Sequence, residues 1–506
     1  RIATMQAVST STIVVGAKAR GFVLRALSMG ARAIGSSLGP YGRGLLYDGG
    51  SGGPQHSSSG LDIARRVTEE SGAGTVALRI LRDALWEVQR DLEDGTARTA
   101  CIAVALYAEA AKHVAHGTPP ALLCKEIQQL QSEIPALVEA QRCEAADGFD
   151  VARSACADED IARALSDTYS ASSEKGAIDI QQGTGSDTKL ERYAGYCLDV
   201  LPEAAGLSTE EQGLRIEMDS VHVLVVNEIV REFGPLARIL EQFALHSKSL
   251  AIVARGFEDA ARSTLTANRA ALRMHVLGLI PSEVGEQAMH LLDDLCAATG
   301  ATVISEETGT SMAHVRPSML GRTSRLILER GRAIFSEPNG DVNAIHARRA
   351  LLSSQAASQR YLALDREKLQ RRAARLAGSW GILRIGGRTH WEAEQRVGSA
   401  RAALAALAAS RASGVVEGGG QALLSVAASL MKLKVSSDGD VRRAALDCIA
   451  AGCRAVAAQL TANAGGSVVE SEFKYRSVDP LSTTVAILQR AISVAATMLT
   501  VEVLIC

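Results

Sequence analysis

The sequence predicts a multi-domain α protein with an α/β domain inserted between two helical regions. Three observations predict it. Apolar residues recur at helical spacing toward both ends of the 506-residue chain. Between those regions, short β-branched runs alternate with helical segments, the pattern of an α/β domain. The composition is only 4% aromatic with 45 glycines, which suits close-packed small-residue helices better than an aromatic-rich β-sandwich. A chain this long folds as roughly two to four domains rather than around one core.

Residues 17–36 place Val23, Leu27, Ala31 and Ile34 on one helical face, and the pattern stops at SSLGPYGRG, dense in Gly and Pro. A glycine- and serine-rich loop, DGGSGGPQHSSSG, follows at 48–60. Residues 61–140 read as long helices broken at EDGT and HGTPP, with Thr118 before Pro119 and Pro120 as a helix start. The β-branched runs are VHVLVV (221–226), SLAIVA (249–254), MHVLGLI (274–280) and ATVISEE (301–307), alternating with helical segments at 233–246, 257–273 and 284–298. After residue 365 helices return. DREKLQRRAARLAG is strongly amphipathic, an alanine-rich helix covers 392–412, and the chain closes on a β-like TVEVLIC. No internal repeat is evident.

Bulk properties exclude several functions. A net charge of -2 with 22% charged residues gives no basic arm for nucleic acid. No apolar run is read as reaching the roughly 18 residues that span a bilayer, so a soluble chain without membrane contact is expected. Nine scattered cysteines without a C-x-x-C pair point to buried thiols in a reducing compartment, not to disulfides or zinc. The ten histidines are equally dispersed, and none forms H-E-x-x-H. The first residue is Arg1, which fits a processed product or a fragment. The opening RIATMQAVSTSTIVV is basic and hydroxyl-rich without an acid, as in the remnant of an organellar transit peptide. The mitochondrial matrix is the expected location, with plastid stroma or bacterial cytoplasm as alternatives.

Six segments, in order, resemble the group I chaperonins, the bacterial and organellar ATP-driven folding machines. GAKARGFVLRALSMGARAIGSSLGPYGRG resembles their first long helix and its T-L-G-P-K-G-R phosphate loop, and DGTARTA their D-G-T-T-T-A-T. GATVISEE, LDREKLQRRAARLAG, GVVEGGGQALL and VDPLSTTVAILQRAISVAATML are similar to the family's later conserved stretches. The resemblance implies a chaperonin fold. It would have an equatorial domain from 1–140 and 412–506, an intermediate domain from 141–188 and 380–411, and an apical domain from 189–379. It also implies ring assembly, homo- or hetero-oligomeric with chaperonin paralogues, and a co-chaperonin. Unfolded or partly folded polypeptides would be the substrates, and ATP with Mg²⁺ the cofactors.

Carried over by motif, the nucleotide contacts would be Ser37, Leu38, Gly39, Pro40, Asp94, Gly95, Thr96, Gly419 and Asp479, with Asp94 on the metal. Gly39, Pro40 and Gly42 would let backbone N–H groups approach phosphate oxygens, unless LGPYG is a helix-terminating turn. Asp94 offers the carboxylate oxygen that a hard cation needs, unless it is a helix N-cap. Gly418, Gly419 and Gly420 would pass close to ribose and Asp479 would contact the sugar hydroxyls, unless Asp479 only makes an Asp-Pro turn.

The departures from the family bear on chemistry. Its T-K-D-G carboxylate corresponds to Ser59 and its V-E-D-A-L carboxylate to Ala402. Loss of a general base alone costs about 10²–10⁴-fold, so weak or absent ATP hydrolysis is expected. The hydroxyl-rich T-T-T becomes Thr96, Ala97 and Arg98, where Arg98 either pairs with a phosphate or fills the pocket and repels the metal. The segment between NAGGSVV and SVDP is shorter than in the family and lacks its adenine-contacting N-A-A. The hinge Gly-Gly pair becomes Gly378, Ser379 and Trp380, and no second hinge glycine is found near Lys189–Ala194. At the apical face Tyr196, Leu236, Ile239 and Leu240 would contact substrate. Arg262, Thr266 and Ala267 make the second groove helix more polar than the family's. The leading expectation is a divergent chaperonin-like folding or assembly protein with a degenerate nucleotide site. The alternatives are a conventional ATP-dependent chaperonin and a non-catalytic structural subunit.

Overall fold

The computed structural model describes residues 13–48, 54–67, 72–144, 146–171, 177–183, 185–201, 215–231, 249–272, 275–306, 309–329, 331–358, 363–433, 439–465 and 476–505, with isolated positions between 231 and 249. The chain divides into two compact units. The first comprises 1–167, 180–189 and 384–506; the second comprises 168–179 and 190–383.

The first unit is helical. Helix Gly16–Gly35 buries Val23, Leu27, Ala31 and Ile34, the stripe read from the sequence. Helix Thr96–Ala115 runs through the core, burying Ile102, Leu106 and Tyr107 completely or nearly so. A fully buried side chain of that size contributes about 1.5–3 kcal/mol. Small residues make the close packing work: a Cβ on Gly452 of helix Asp440–Asn463 would meet the Ile102 carbonyl oxygen at 3.2 Å.

Helix Leu481–Leu499 is long and apolar enough to cross a membrane, which corrects the expectation that no run is. Its apolar residues Ile487, Leu488, Ala491, Ile492 and Ala495 belong to the helical core, and a buried core helix can be equally long and apolar. Strand Ile13–Val15 pairs antiparallel with Val503–Ile505, so the β-like closing segment is a strand. The glycine-rich stretch read as a loop contains strand Pro54–Ser57, which pairs antiparallel with Leu45–Asp48. Helix Pro120–Gln131 is capped by Pro119, one residue later than expected, because proline at the first turn needs no N–H partner.

The second unit is built on a mixed sheet. Strands Ile216–Val230, Ser249–Phe257 and Val276–Leu279 run parallel, and Val303–Ile304 pairs parallel to the first of them. Strands Tyr196–Asp199, Gly321–Glu329 and Arg332–Pro338 extend the sheet antiparallel. Alternate residues of the central strand serve two cores. Val221, Val223 and Val225 pack in the core that includes Leu291, Leu292 and Leu295 of helix Glu286–Thr299. Leu224 and Val226 pack in the core that includes Ala261 and Leu265 of helix Asp259–Leu272. A sheet covered on both faces explains the unbroken apolar run VHVLVV.

One carboxylate in this unit is fully buried. Asp294 is 0% exposed and accepts hydrogen bonds from Arg348 Nε at 2.8 Å, Arg372 Nε at 2.6 Å and Arg372 Nη2 at 3.0 Å. These bonds tie helices Val342–Ser358 and Ala363–Arg375 to Glu286–Thr299. Among the described cysteines, Cys101, Cys124, Cys156, Cys197, Cys448 and Cys453 are buried, Cys143 and Cys296 are partly buried, and all are free thiols.

Candidate nucleotide-site region

The turn after the first helix closes on itself. The Ser36 hydroxyl donates to the Ala33 carbonyl and the Ser37 hydroxyl to the Ile34 carbonyl, each at 2.7 Å. Gly42 N–H donates to the Gly39 carbonyl at 2.9 Å, and Arg43 N–H to that of Ser36 at 2.7 Å. From the end of helix Asp440–Asn463, Asn463 Nδ2 donates to the carbonyls of Gly35 at 2.9 Å and Leu38 at 2.8 Å. Gly39 has φ of 80°, and a Cβ there would meet Leu460 Cδ2 at 2.3 Å. The turn therefore meets the terminating reading of LGPYG, with Pro40 exposed and Ser37 and Leu38 partly buried. Asn463 was not singled out from the sequence; its side-chain amide fixes the turn from far along the chain.

The EDGTARTA segment is the start of helix Thr96–Ala115. Gly95, not Asp94, is the N-cap, with φ of 89° and no side-chain cap. Glycine is required there, since a Cβ would meet Ile487 Cδ1 at 2.2 Å. Asp94 is instead engaged by Arg98 one turn further on, Nη2 to Oδ2 at 2.5 Å. The other guanidinium nitrogen, Nη1, reaches Asp479 Oδ1 at 2.8 Å. Asp479 is carried there by strand Val478–Pro480, which pairs antiparallel with Val415–Glu417, Val416 opposite Asp479. One arginine thus spans the two carboxylates expected to hold metal and sugar.

The Arg98 side chain is 12% exposed, and those of Asp94 and Asp479 are 32% and 23%. Burial works against the Arg98 charge, but the two carboxylates outweigh it and hold the guanidinium more firmly protonated than usual. Burial pushes the Asp479 carboxyl up, against the pull of Arg98 and with a further push from Asp94. A cation in the first turn also opposes the helix dipole, so the arginine depends on its two partners.

The surroundings are tightly filled. The cavity beside Arg98 and Asp479, bordered by Glu417, Gly420, Thr484 and Ile487, has a volume of about 10 Å³, room for about one water. Gly418 N–H donates to the Ser477 carbonyl at 2.9 Å, and a Cβ on Gly418 would meet Ser477 Oγ at 2.4 Å. Gly419 has φ of 63° and Gly420 caps helix Gln421–Lys432. Thr96 is buried, its Oγ1 2.6 Å from where a Gly60 Cβ would lie. A divalent cation on Asp94 would sit against the guanidinium, like charge to like charge. As arranged here, these residues do not fit Mg²⁺ or a nucleotide.

The two positions expected to have lost carboxylates lie on well-formed helices. Ser59 is the N-cap of helix Gly60–Arg66, its Oγ accepting from Asp62 N–H at 3.5 Å. Ala402 is partly buried within helix His390–Ser413. Among the described residues, no group of three or more His, Cys, Asp or Glu is placed to hold a metal ion.

In the other unit Tyr196 is 2% exposed, its ring 6.5 Å from that of Phe335 and its hydroxyl donating to the Leu291 carbonyl at 3.4 Å. It is a core residue and presents no surface to a polypeptide, which corrects its expected place on the apical face. Leu236, Ile239 and Leu240 lie outside the described residues, as does the shortened stretch at 466–475. Arg262 Nε donates to the Phe257 carbonyl at 3.2 Å, Thr266 Oγ1 donates to the Arg262 carbonyl at 3.0 Å, and Ala267 is exposed. Gly378 has φ of 81°, and its carbonyl accepts from Gly195 N–H at 2.7 Å. Gly195 directly follows Lys189–Ala194, where the sequence offers no second hinge glycine. At φ of 108° a Cβ there would meet the Phe335 carbonyl oxygen at 2.0 Å.

Comparison with solved structures defines the class of fold: this chain has the chaperonin fold over essentially its whole length. It is similar to the chaperonin gp146 from the bacteriophage EL 2 (Pseudomonas aeruginosa), crystallised in the presence of ATP-BeFx. Crystal form I of that protein gives a TM-score of 0.58 at 18% identity, covering 98% of this chain and 99% of the other. Crystal form II gives 0.53 at 18% identity, covering 97% and 98%. No family model matches the sequence.

Proposed function

We propose that this chain is a group I chaperonin-like protein that binds non-native polypeptides and acts in folding or assembly without hydrolysing ATP. Its chaperonin fold supports the first part. Arg98, spanning Asp94 and Asp479, is the observation that carries the second. Phosphoryl transfer depends on metal-neutralised charge and an oriented nucleophile. Here an internal cation holds the two carboxylates, and Ser59 and Ala402 stand where the resemblance calls for water-positioning carboxylates. In this reading 141–188 and 380–411 form an intermediate domain, and subunits assemble as a ring through a repeated heterologous interface. A mitochondrial matrix location, drawn from the basic, hydroxyl-rich opening, belongs to the same proposal.

The test measures aggregation of a chemically denatured client and phosphate release in one preparation, alongside native mass. The expected outcome is suppressed aggregation without nucleotide, a ring-sized mass and no phosphate release above background. A conventional ATP-driven chaperonin is the second reading, favoured by the ATP-BeFx in the similar phage structures. Phosphate release that disappears on Asp94→Asn would establish it instead.

A further inference from the structure

We infer that Arg98 is a tethered cation occupying the seat of a divalent metal, and that removing it uncovers a site for a hard divalent cation between Asp94 and Asp479. The inference rests on the reading that this site no longer turns over ATP, and it deepens that reading.

Three features carry it. One guanidinium contacts a carboxylate with each of its two terminal nitrogens, so it bridges its partners as a metal ion would. The charges do not close: one positive charge faces two carboxylates, with Glu417 also on the wall of the adjoining cavity. Without Arg98 the Asp94 and Asp479 carboxylates would lose the cation that pairs them, leaving the oxygen donors that select Mg²⁺, Mn²⁺ or Ca²⁺ over softer metals. The position of the arginine is also fixed by the helix. Asp94 and Arg98 are one turn apart, and Gly95 has no room for a Cβ beside Ile487, so the helix start delivers the guanidinium to Asp94 without a search. A dissociable ion cannot compete with a cation held at so high a local concentration.

The chain should therefore be indifferent to divalent ions, and Arg98→Thr should make it responsive. The full-length protein is treated with a chelator, then titrated with millimolar Mn²⁺ while thermal unfolding and the Mn²⁺ EPR signal are followed. Wild type should show no bound Mn²⁺ and no change in Tm. Arg98→Thr should unfold several degrees lower without metal, bind one Mn²⁺ and recover most of that loss. Should Arg98→Thr not fold, Arg98→Thr/Asp479→Asn relieves the carboxylate repulsion. That double variant keeps one carboxylate of the pair and should bind Mn²⁺ only weakly, while adding Asp94→Asn should abolish binding. Mn²⁺ held by wild type at this site, or folded Arg98 variants that ignore Mn²⁺, would overturn the inference. These outcomes are separable from the functional reading, which fails on wild-type phosphate release whatever the variants bind.

Discussion

In the helical unit one arginine is held by two carboxylates; in the α/β unit one carboxylate, Asp294, is held by two arginines. The clusters mirror each other in charge but differ in setting. Asp294 is fully buried, and its partners come from neighbouring helices within 286–375, so its bonds brace one continuous stretch. Arg98 keeps 12% of its side chain exposed and joins positions near opposite ends of the chain. A third cluster, Asp91 with Arg90 and Arg490, repeats the Asp294 arrangement with Asp91 30% exposed. Burial sets Asp294 apart from the other two clusters, both of which join distant parts of the chain. Asp294 is a brace, Asp91 a surface tie, and Arg98 a plug in a site whose motifs resemble a nucleotide cradle.

Asp294→Ala should have the largest effect. It leaves two arginines facing a buried gap, and breaking such a group costs about 3–5 kcal/mol. Denaturant unfolding followed by hydrogen exchange should place the loss in the strands and helices of 190–383. Arg98→Ala should cost less, about 2–3 kcal/mol after allowance for partial solvent screening, and its protection loss should fall on the start of helix Thr96–Ala115. If the arginine variant proves the more damaging, burial is not the deciding factor and the comparison breaks.

Asp91 gives the smallest effect and a pH signature. The Arg90 hydrogen bond, opposed by partial burial and aided by Arg490, lowers its carboxyl from 3.8 to about 2. A lowered native value means that the unfolded chain takes up the proton first as pH falls. The Asp91 contribution, about 1 kcal/mol after screening, is therefore complete above the ordinary carboxylate range and disappears as pH drops through about 2. Asp91→Asn should remove that component from an acid-unfolding curve and leave neutral-pH stability lower by a similar amount.

The sequence reading worked where one local rule sufficed. The stripe Val23, Leu27, Ala31 and Ile34 has a single helical solution, and VHVLVV between turn signals has the length of a buried strand. It failed where the answer depended on a distant partner. Pro54–Ser57 is polar and becomes a strand only because Leu45–Asp48 pairs with it. The resemblance alone places Tyr196 at the apical face, yet pairing with Phe335 draws it into the core. The Arg98 contact to Asp94 follows from helical spacing, and a pocket-filling role was one of its two readings. The contact to Asp479 needed the Val415–Glu417 pairing, which no local pattern encodes.

The pairing of Ile13–Val15 with Val503–Ile505, reinforced by Arg20 and Glu502 at 2.7 Å, bears on the order of events at the ribosome. The sheet of 190–383 comes from one uninterrupted stretch of chain and can finish while synthesis continues. The helical unit cannot close its first strand, or seat Asp479 on Arg98, until the last part of the chain has emerged. Helices made first thus keep their apolar stripes uncovered longest, and a nascent chain of this design has its greatest need of protection while Gly16–Gly35 waits for its late partners.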